Sequence, residues 1–555
     1  MILLLYAVLS FLVFVSTWVA PGNRLVFGDV DVREITWFMG WTPYALSHGQ
    51  TPLLTTHIDY PLGVNLMWNT AMVFPAVVLW PVTAAFGPIT ATNLAITLAL
   101  PFSGWAMYLL ARRYVRSRLA AVVAGLLYGF SPWMIARSPG EIHMTIAVFP
   151  PLALLALDEI LVRQHRSRWL VGAGLGVAAA AELLTSEEML ALTVMLAAVG
   201  VAVVAIPNLR SIPARLPYIV QSLGTAAVAF MALAAYPLWV QFFGPLRVSG
   251  VLPDAYATDL LALVVPTRWQ ALQFAQSISH QFTSRNIIEE GGAYIGIPLI
   301  LIGIWVTFRF WSRDIVRVAT IIAIIATVLA MGDHLHIRGH ATHYQLPWRF
   351  LEQLPILKNV SPPRFMIFAY LMVALLLAVF VDWVLSRPGR GLRLVGIGAT
   401  ILALALLFPS VPYPTDTAVV PAFFRGGDVQ RIPQGDVVLV APFSRAFTSD
   451  AMMWQSIAGM SFRMPEGYGY RPGPTRNPPD SALQTQLNAI YYGLERPSVS
   501  PGLVEQMRAE LDGMGATAVI VGPEPHQDEV VALFRGLLGR EPEETGGVLV
   551  WWNVK

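Results

Sequence analysis

The sequence predicts a polytopic α-helical membrane protein that ends in a small α/β domain. Of its 555 residues, 55% are hydrophobic and only 13% are charged, and the mean hydropathy is +0.59. Soluble domains carry about 25% charged residues, so the composition excludes a soluble globular protein. Apolar runs of about 18 residues or more recur along the chain, and each can cross roughly 30 Å of hydrocarbon as a helix.

Net charge and cysteine content exclude further classes of protein. The formal net charge of +2 does not indicate a nucleic-acid binder. Because the chain contains no cysteine, it has no disulfide, no thiolate nucleophile and no cysteine-ligated metal.

About eleven apolar segments have the length and composition of transmembrane helices. The first segment has no basic residue before it, and Trp18 and Ala20 do not form a small-x-small cleavage site. We therefore expect a retained helix rather than a cleaved signal peptide. The predicted spans are 2–20, 90–111, 119–133, 144–162, 169–184, 188–206, 217–238, 293–311, 317–331, 365–385 and 393–409.

The charges of the loops predict the orientation of the chain. One further apolar stretch, 71–87, contains Pro75 and Pro81, and if it does not cross, the short loops on one side are all rich in arginine. By the positive-inside rule these loops and the N-terminus are cytoplasmic, whereas the loop 21–89 and the tail after 410 lie outside. If 71–87 crossed, every later loop would be inverted. The arginines concerned are Arg112, Arg113, Arg116, Arg118, Arg163, Arg166, Arg168, Arg210, Arg215, Arg313, Arg317, Arg387, Arg390 and Arg393.

The last part of the chain differs in character from the rest. Proline and glycine clusters give way to short β-branched runs at 437–440 and 518–521, with helical patterns at 503–513 and 527–538 and a closing strand at 548–552. This alternation predicts a soluble extracytoplasmic α/β domain, 410–555, that follows a transmembrane domain, 1–409.

Two carboxylates follow the first span. Asp29 and Asp31 precede the aromatic, amphipathic stretch 35–46, which we expect to lie in the membrane interface with Trp37 and Trp41. Partial burial at the membrane edge makes a carboxylate a stronger general base toward a hydroxyl group. The alternative is a solvated turn whose aspartate stabilises the start of the interfacial helix.

The same loop continues with His57-Ile58-Asp59-Tyr60-Pro61-Leu62-Gly63-Val64-Asn65-Leu66. His57 and Asp59 are candidate substrate contacts or metal ligands, although two ligands without a third form a weak pattern. A turn at 60–63 explains most of this sequence equally well, and Asn65 is placed to cap the next helix.

The order of these features resembles the GT-C class of membrane glycosyltransferases, which take a sugar from a polyprenyl-phosphate donor on the outer face of the membrane. The similarity covers most of 20–385, and in this family the stretch equivalent to 71–87 is an outer-face helix. The matching segments are 31–41, 61–66, 108–113, 129–132, 290–296 and 346–365.

The resemblance implies that the catalytic acid lies in the first outer loop. Asp31, six residues before Trp37, fits the spacing of the family better than Asp29. Many members have adjacent acidic residues, whereas Val30 separates Asp29 from Asp31 here. Both aspartates are therefore catalytic candidates.

The resemblance also implies that a cationic side chain binds the donor phosphate at the outer boundary of the plasma membrane. Arg364 is the first candidate, Arg349 the second and Lys358 the third, and His143 is a candidate donor to the phosphate or to a sugar hydroxyl. The alternative for each arginine is a side chain that snorkels from a helix end to the interface.

Substrate contacts are expected from Glu290, Tyr256 and Asp259, in addition to His57 and Asp59. Glu290 precedes a span and is placed to bind sugar hydroxyls, or it is an acid favoured by the helix dipole. Some related enzymes use a divalent cation such as Mg²⁺, Mn²⁺ or Ca²⁺, but no residue is assigned here as a metal ligand.

The sequence assigns no catalytic role to two further motifs. The tetrad 185–188 reads Thr-Ser-Glu-Glu and is interpreted as a capping box for the following span. The run 467–470 reads Gly-Tyr-Gly-Tyr and either docks an acceptor or packs the small domain.

We therefore expect an inverting glycosyltransferase of the bacterial plasma membrane, with an envelope glycan, lipid or protein as acceptor. Only two of the 36 basic residues are lysine, which favours a GC-rich bacterial genome and hence a decaprenyl-phosphate donor of arabinose or mannose. One alternative is a transporter or lipid flippase, for which Glu182 is the candidate intramembrane acid, although no internal repeat is visible. The other is a non-catalytic scaffold on the same fold.

Overall fold

The computed structural model describes residues 1–27, 30–207, 212–248, 256–284, 286–354, 357–443, 448–473, 480–495 and 500–554. The helices are α1 (Ile2–Val13), α2 (Val15–Trp18), α3 (Val30–Ser47), α4 (Val73–Val78), α5 (Trp80–Phe86), α6 (Pro88–Ala111), α7 (Arg118–Gly129), α8 (Pro132–Arg137), α9 (Ile142–Thr145), α10 (Phe149–Asp158), α11 (Arg168–Leu183), α12 (Glu187–Ala205), α13 (Ile212–Phe242), α14 (Gln276–Phe282), α15 (Ile287–Glu290), α16 (Ile297–Phe310), α17 (Asp314–Ala330), α18 (Trp348–Leu351), α19 (Met366–Leu385), α20 (Arg390–Leu406), α21 (Ala422–Arg425), α22 (Asp450–Ile457), α23 (Ala482–Tyr491), α24 (Pro501–Met514) and α25 (Gln527–Leu538).

Short strands and single helical turns complete the secondary structure. The strands are β1 (Arg24–Val26), β2 (Leu54–Thr55), β3 (Val64–Asn65), β4 (His334–Ile337), β5 (His340–Gln345), β6 (Thr415–Thr417), β7 (Val438–Ala441), β8 (Ala518–Val521), β9 (Glu543–Thr545) and β10 (Val548–Trp552). The 3₁₀ turns are Leu66–Trp68, Leu260–Leu263, Leu357–Asn359, Pro362–Phe365 and Asp428–Arg431, and Glu159–Arg163 is a π-helical turn.

Within these described ranges, six helical stretches are long and apolar enough to cross a membrane, so the chain is a multi-pass helical membrane protein. Five further helices, of 12 to 17 residues, coincide with the remaining predicted spans: α1, α11, α16, α17 and α20. They fall below the length of the six, and the count of eleven spans therefore stays a prediction. The six stretches are Pro88–Ala111, Arg118–Arg137, Ile142–Arg163, Glu187–Ala205, Pro213–Phe242 and Pro362–Leu385.

The stretch 71–87 forms two short helices, α4 and α5, of six and seven residues. At 1.5 Å per residue each is about 10 Å long, far less than the hydrocarbon thickness of a bilayer. Pro81 in the first turn of α5 separates the two helices, because proline is tolerated at a helix start and not in its interior.

Burial distinguishes the central span from a peripheral one. In the stretch that contains α19, 94% of the apolar window is buried inside the protein, whereas only 22% is buried in the stretch that contains α13. Glycines allow α6 and α7 to approach closely, since a Cβ on Gly129 would lie 2.6 Å from the Leu100 carbonyl oxygen. Small residues at a helix contact are typical of helix packing in membranes.

Contacts divide the chain into two compact units, which are described separately. The first unit contains 1–16, 95–235 and 252–414, and it holds most of the spans. The second unit contains 17–94, 236–251 and 415–555, so the first outer loop belongs to the same unit as the tail.

A four-stranded sheet is the centre of the tail. Its strand order is β7-β8-β10-β9, with β7 and β8 parallel and the other pairs antiparallel. The predicted strands and helices of the tail are found at β7, β8, β10, α24 and α25. Leu439, Val519, Phe534 and Trp551 lie in the apolar core, because the strands are apolar on a face that the helices cover.

The helix α3 of the first outer loop packs against α22 of the tail. A Cβ on Gly40 would lie 2.1 Å from Ser456 Oγ, and the Trp37 indole donates to Gln455 Oε1 at 2.6 Å. Trp37 and Trp41 are fully buried, which corrects the prediction that they lie in the membrane interface. The tail covers them, and no pattern local to α3 indicates such a cover.

Candidate functional site

Two polar clusters contain the principal predicted site residues, and each cluster lies within one unit. The Asp31 cluster, in the second unit, consists of Asp31, Arg33, Asp416, Asp450 and Tyr468. The Arg364 cluster, in the first unit, consists of Arg137, Glu141, Glu188, Glu289 and Arg364.

Asp31 is the second residue of α3 and lies in its first turn, where the helix dipole favours a carboxylate. Tyr468 donates a hydrogen bond from its hydroxyl to Asp31 Oδ1 at 2.9 Å. Both side chains are half-buried. A helix-stabilising acid needs no such partner, so the hydrogen bond distinguishes Asp31 from a simple dipole acid.

Tyr468 is a permanent hydrogen-bond donor. Burial raises its pKa well above the usual value, and the negative charges of Asp31 and Glu34 raise it further. The hydroxyl therefore stays protonated across the physiological pH range and donates a hydrogen bond to the carboxylate.

The first turn of α3 is held on its other side as well. Arg33 Nε lies 2.7 Å from Asp450 Oδ1, and Arg33 Nη2 lies 3.3 Å from Asp416 Oδ2. The Ser449 hydroxyl donates to the Val30 carbonyl oxygen at 2.6 Å. Residues of the tail thus surround the candidate base.

His57 is part of a buried aromatic group. Its ring lies 5.0 Å from that of Trp41 and 5.2 Å from that of Tyr44. Burial lowers the pKa of His57 to about 4, with a further contribution from the charge of Arg463. His57 is therefore neutral and packs among aromatic rings, and its role as a substrate contact stays a prediction.

Asp59 is engaged in an ion pair inside the protein. Arg471 Nε lies 2.5 Å from Asp59 Oδ1, and Arg471 also pairs with Glu466. The Asp59 carboxylate is buried and faces a cation rather than an open surface. Its role as a substrate contact stays a prediction.

The Arg364 cluster brings together the ends of several helices of the first unit. Arg364 Nη2 lies 2.5 Å from Glu141 Oε1 and 3.0 Å from Glu289 Oε1, and Arg364 also pairs with Glu188. Arg137, which has no exposed surface, pairs with Glu141 and lies 2.6 Å from Glu289 Oε2. Its guanidinium also stacks over the ring of Trp133 at 5.2 Å.

Three carboxylates face two guanidinium groups in this cluster. Burial raises the pKa of Glu141, but the charges of Arg137 and Arg364 outweigh it and lower the value to about 2. Burial raises the pKa of Glu289, and the negative charge of Glu141 raises it further. The pKa values of these two carboxyl groups are therefore shifted in opposite directions.

Arg364 is engaged by carboxylates, so a donor phosphate that bound it would have to displace one of them. The ionised cluster has an excess negative charge, which does not attract an anion. His143 lies near both arginines. Arg349 on α18 and the exposed Lys358 lie in other parts of the first unit, and neither joins the cluster.

Glu290 is buried at the last position of α15, beside the clustered Glu289. Glu290 stays a predicted substrate contact, and the sequence did not single out Glu289 beside it. Asn286 caps this helix turn, since its Oδ1 accepts from Ile288 N at 2.9 Å and from Glu289 N at 3.2 Å.

Asp259 accepts hydrogen bonds from two backbone amides, and its role as a substrate contact stays a prediction. Its Oδ1 accepts from Leu261 N at 2.9 Å, and its Oδ2 accepts from Gly339 N at 2.8 Å. Both carboxylate oxygens thus satisfy backbone amides. Tyr256 is half-buried, and Asp29 lies outside the described residues.

Some members of the family that the chain resembles use a divalent metal ion, and a site for one in the described part of the chain would consist of grouped ligand side chains. There, no three His, Asp or Glu side chains are grouped so that they could hold a metal ion. Metal sites in proteins need such convergent ligands, and the carboxylates nearest to one another already face arginines.

Two residues of the clusters belong to motifs that were given no catalytic role in the sequence analysis. Tyr468 belongs to the Gly-Tyr-Gly-Tyr run, and Glu188 belongs to the predicted capping box. Ser186, not Thr185, caps α12, because its hydroxyl accepts from Met189 N at 3.3 Å. Glu188 pairs with Arg364 instead. Its place as an acid at the end of an apolar span is the feature of the sequence that could have indicated this role.

Two solved structures resemble the chain closely enough to show its fold. The archaeal oligosaccharyltransferase AglB from Archaeoglobus fulgidus, in complex with an inhibitory peptide and a dolichol-phosphate, matches with a TM-score of 0.50 and 12% identity over 94% of this chain and 69% of that chain. Arabinofuranosyltransferase AftD from Mycobacteria matches with a TM-score of 0.52 and 13% identity over 99% of this chain.

The chain spans only 41% of the length of AftD. At these identities the likenesses show the fold alone, which is that of the GT-C glycosyltransferases. No curated protein matches the chain. The profile of the family described as Domain of unknown function (DUF6311) matches residues 3–407, most of the chain, and the protein therefore belongs to that family.

Proposed function

We propose that this protein is an inverting glycosyltransferase that moves a sugar from a polyprenyl-phosphate donor to a hydroxyl group on the outer face of the membrane. The observation that carries the proposal is the Asp31 carboxylate in the first turn of α3, held by the Tyr468 hydroxyl at 2.9 Å. The fold shared with AglB and AftD supports the reaction class.

Asp31 acts as the general base in the proposed reaction. It takes the proton of the acceptor hydroxyl while the acceptor oxygen attacks the anomeric carbon in line. The bond from that carbon to the phosphate oxygen breaks, and its electron pair leaves with the polyprenyl phosphate. Phosphate is a good leaving group, so the reaction needs no acid to protonate it. Asp29 remains the second candidate for the base.

Arg364 is the proposed site for the donor phosphate. A guanidinium binds phosphate through two parallel hydrogen bonds. In the proposed bound state, Glu188 gives way to the phosphate. His143, near both arginines, and Arg349 are further candidates for contacts with the donor.

The finer assignments rest on analogy and on sequence. AftD is an arabinofuranosyltransferase, which supports arabinose, with mannose as the other candidate sugar, carried on decaprenyl phosphate. The proposed acceptor is an envelope glycan, lipid or protein. The proposed location is the bacterial plasma membrane, with the N-terminus in the cytoplasm and the tail outside.

The direct test is sugar transfer by the purified full chain in nanodiscs. Labelled polyprenyl-phosphate sugars are offered with a panel of envelope glycans, with and without added Mg²⁺, Mn²⁺ or Ca²⁺. We expect transfer from at least one lipid-linked donor and none from the corresponding nucleotide sugars. Absence of transfer from every polyprenyl-phosphate sugar would contradict the proposal.

A further inference from the structure

A segment of the tail, 464–473, runs along the first outer loop and is bound to it near both ends. Met464 N donates to the His57 carbonyl oxygen at 2.8 Å. Further along, Asn69 accepts from Tyr470 N at 2.5 Å and donates from its side chain to the Tyr470 carbonyl oxygen at 3.2 Å. The two ends thus hold the intervening residues against the loop.

Two glycines flank Tyr468 and bring its backbone close to the loop. A Cβ on Gly467 would lie 2.7 Å from Ile58 Cβ, and a Cβ on Gly469 would lie 2.9 Å from Asn69 Oδ1. Any larger residue at either position would push the segment away. The position of the Tyr468 ring is therefore determined on both sides.

A buried ion pair fastens the same segment. Arg471 lies 2.5 Å from the buried Asp59 of the loop, and it also pairs with Glu466 of the segment. Separating a buried pair leaves an uncompensated charge, so this contact opposes any release of the segment.

We propose that Tyr468 is a positioning residue for the catalytic base Asp31, and that the segment 464–473 makes the tail a part of the catalytic centre. The inference rests on the proposed function. By donating to Oδ1, the Tyr468 hydroxyl holds the carboxylate in one orientation and stabilises its ionised form, which is the form that accepts a proton.

The test is Tyr468→Phe in the full chain, since this variant keeps the ring and removes only the hydroxyl. We expect kcat to fall about tenfold or more, because a hydrogen bond to a charged group is lost, while the KM for the donor stays within about twofold. The acid limb of the kcat/KM profile should move to higher pH, because the carboxylate has lost a donor that favours ionisation.

Two further variants separate positioning from stability. Tyr492→Phe removes a hydroxyl from the tail outside the segment, at the exposed end of α23, so we expect its kcat within about twofold of the wild type. Gly469→Ala retains the Tyr468 hydroxyl but shifts the segment, and we expect the same loss of kcat and the same movement of the acid limb.

The outcomes distinguish this inference from the proposed function. If Asp31→Asn is inactive while Tyr468→Phe keeps the wild-type kcat and acid limb, the role of Tyr468 is wrong and the proposed function stands. If Tyr492→Phe loses as much activity as Tyr468→Phe, the effect is not specific to the hydrogen bond, and the inference is also wrong. If Asp31→Asn is fully active, the proposed function itself fails.

Discussion

Arg364 and Glu141 meet at 2.5 Å although 223 residues separate them in the chain. Their contact belongs to a cluster in which every charge is supplied by a different helix end or connection of the first unit. Charges taken out of water are tolerated only when they are paired, so the five residues depend on one another.

Arg137→Gln should destabilise the protein strongly. The Arg137 guanidinium is fully buried and pairs with Glu141 and Glu289, so its removal leaves buried carboxylates without a cation, at a cost of about 3–5 kcal/mol. Thermal unfolding of the full chain in nanodiscs measures this. Arg349→Gln, a half-buried residue outside the cluster, is the matched control and should unfold near the wild-type temperature.

The double variant Arg137→Gln with Glu141→Gln should be more stable than Arg137→Gln alone. Removing Glu141 also removes one of the charges left unpaired, so the two effects should not add. Strict additivity of the two substitutions would contradict the described cluster.

Glu524→Gln should stabilise the protein increasingly as the pH rises above 4.5. Glu524 Oε1 is buried and has no hydrogen-bond partner in the described part of the chain, and burial raises the pKa of Glu524 from its ordinary value of 4.5 to about 8. The unfolded chain releases this proton from pH 4.5 upward, whereas the folded chain keeps it until about pH 8. The stability contribution is therefore complete below pH 4.5 and is lost as the pH rises to 8.

A glutamine at position 524 is neutral at every pH, so the variant does not lose stability in this way as the pH rises. The unfolding temperature of Glu524→Gln should exceed that of the wild type near pH 8 and approach it near pH 4.5. Glu505→Gln, at an exposed position of α24, serves as the control. The same difference at both pH values would show that Glu524 is ordinarily ionised in the folded protein.

Asp259→Ala should lower stability without changing affinity for the donor. The substitution leaves the amides of Leu261 and Gly339 without their acceptor, which costs about 1–3 kcal/mol. Steady-state kinetics should give the wild-type KM for the donor. A large rise in KM with unchanged stability would identify Asp259 as a substrate contact.

The sequence predicted the features that depend on neighbouring residues. The α19 stretch is continuously apolar, and the strand β8 is a short run of alanine, valine and isoleucine, so both are visible within a short window. The stretch 71–87, described from the sequence as short and broken by proline, forms two helices of six and seven residues. Asn65 caps the 3₁₀ turn Leu66–Trp68, as its position before that turn indicated.

The candidate site could be predicted only in part, because its contacts join distant parts of the chain. Asp31 stands out by its place after the first span, but its partner Tyr468 lies 437 residues away. The buried state of Trp37 depends on the tail in the same way. Only Glu289 of the adjacent pair Glu289 and Glu290 was found in the Arg364 cluster. Predicting this requires the directions of the side chains in a single helical turn, and composition does not give these directions.

The measurement that tests the account most directly is sugar transfer by Asp31→Asn beside the wild type, with Asp428→Asn as a matched carboxylate control in the tail. Asparagine keeps the size of the side chain but cannot take the proton of the acceptor. We predict that Asp31→Asn loses transfer by about a hundredfold or more while Asp428→Asn retains it. Full activity of Asp31→Asn would contradict the assignment of Asp31 as the base.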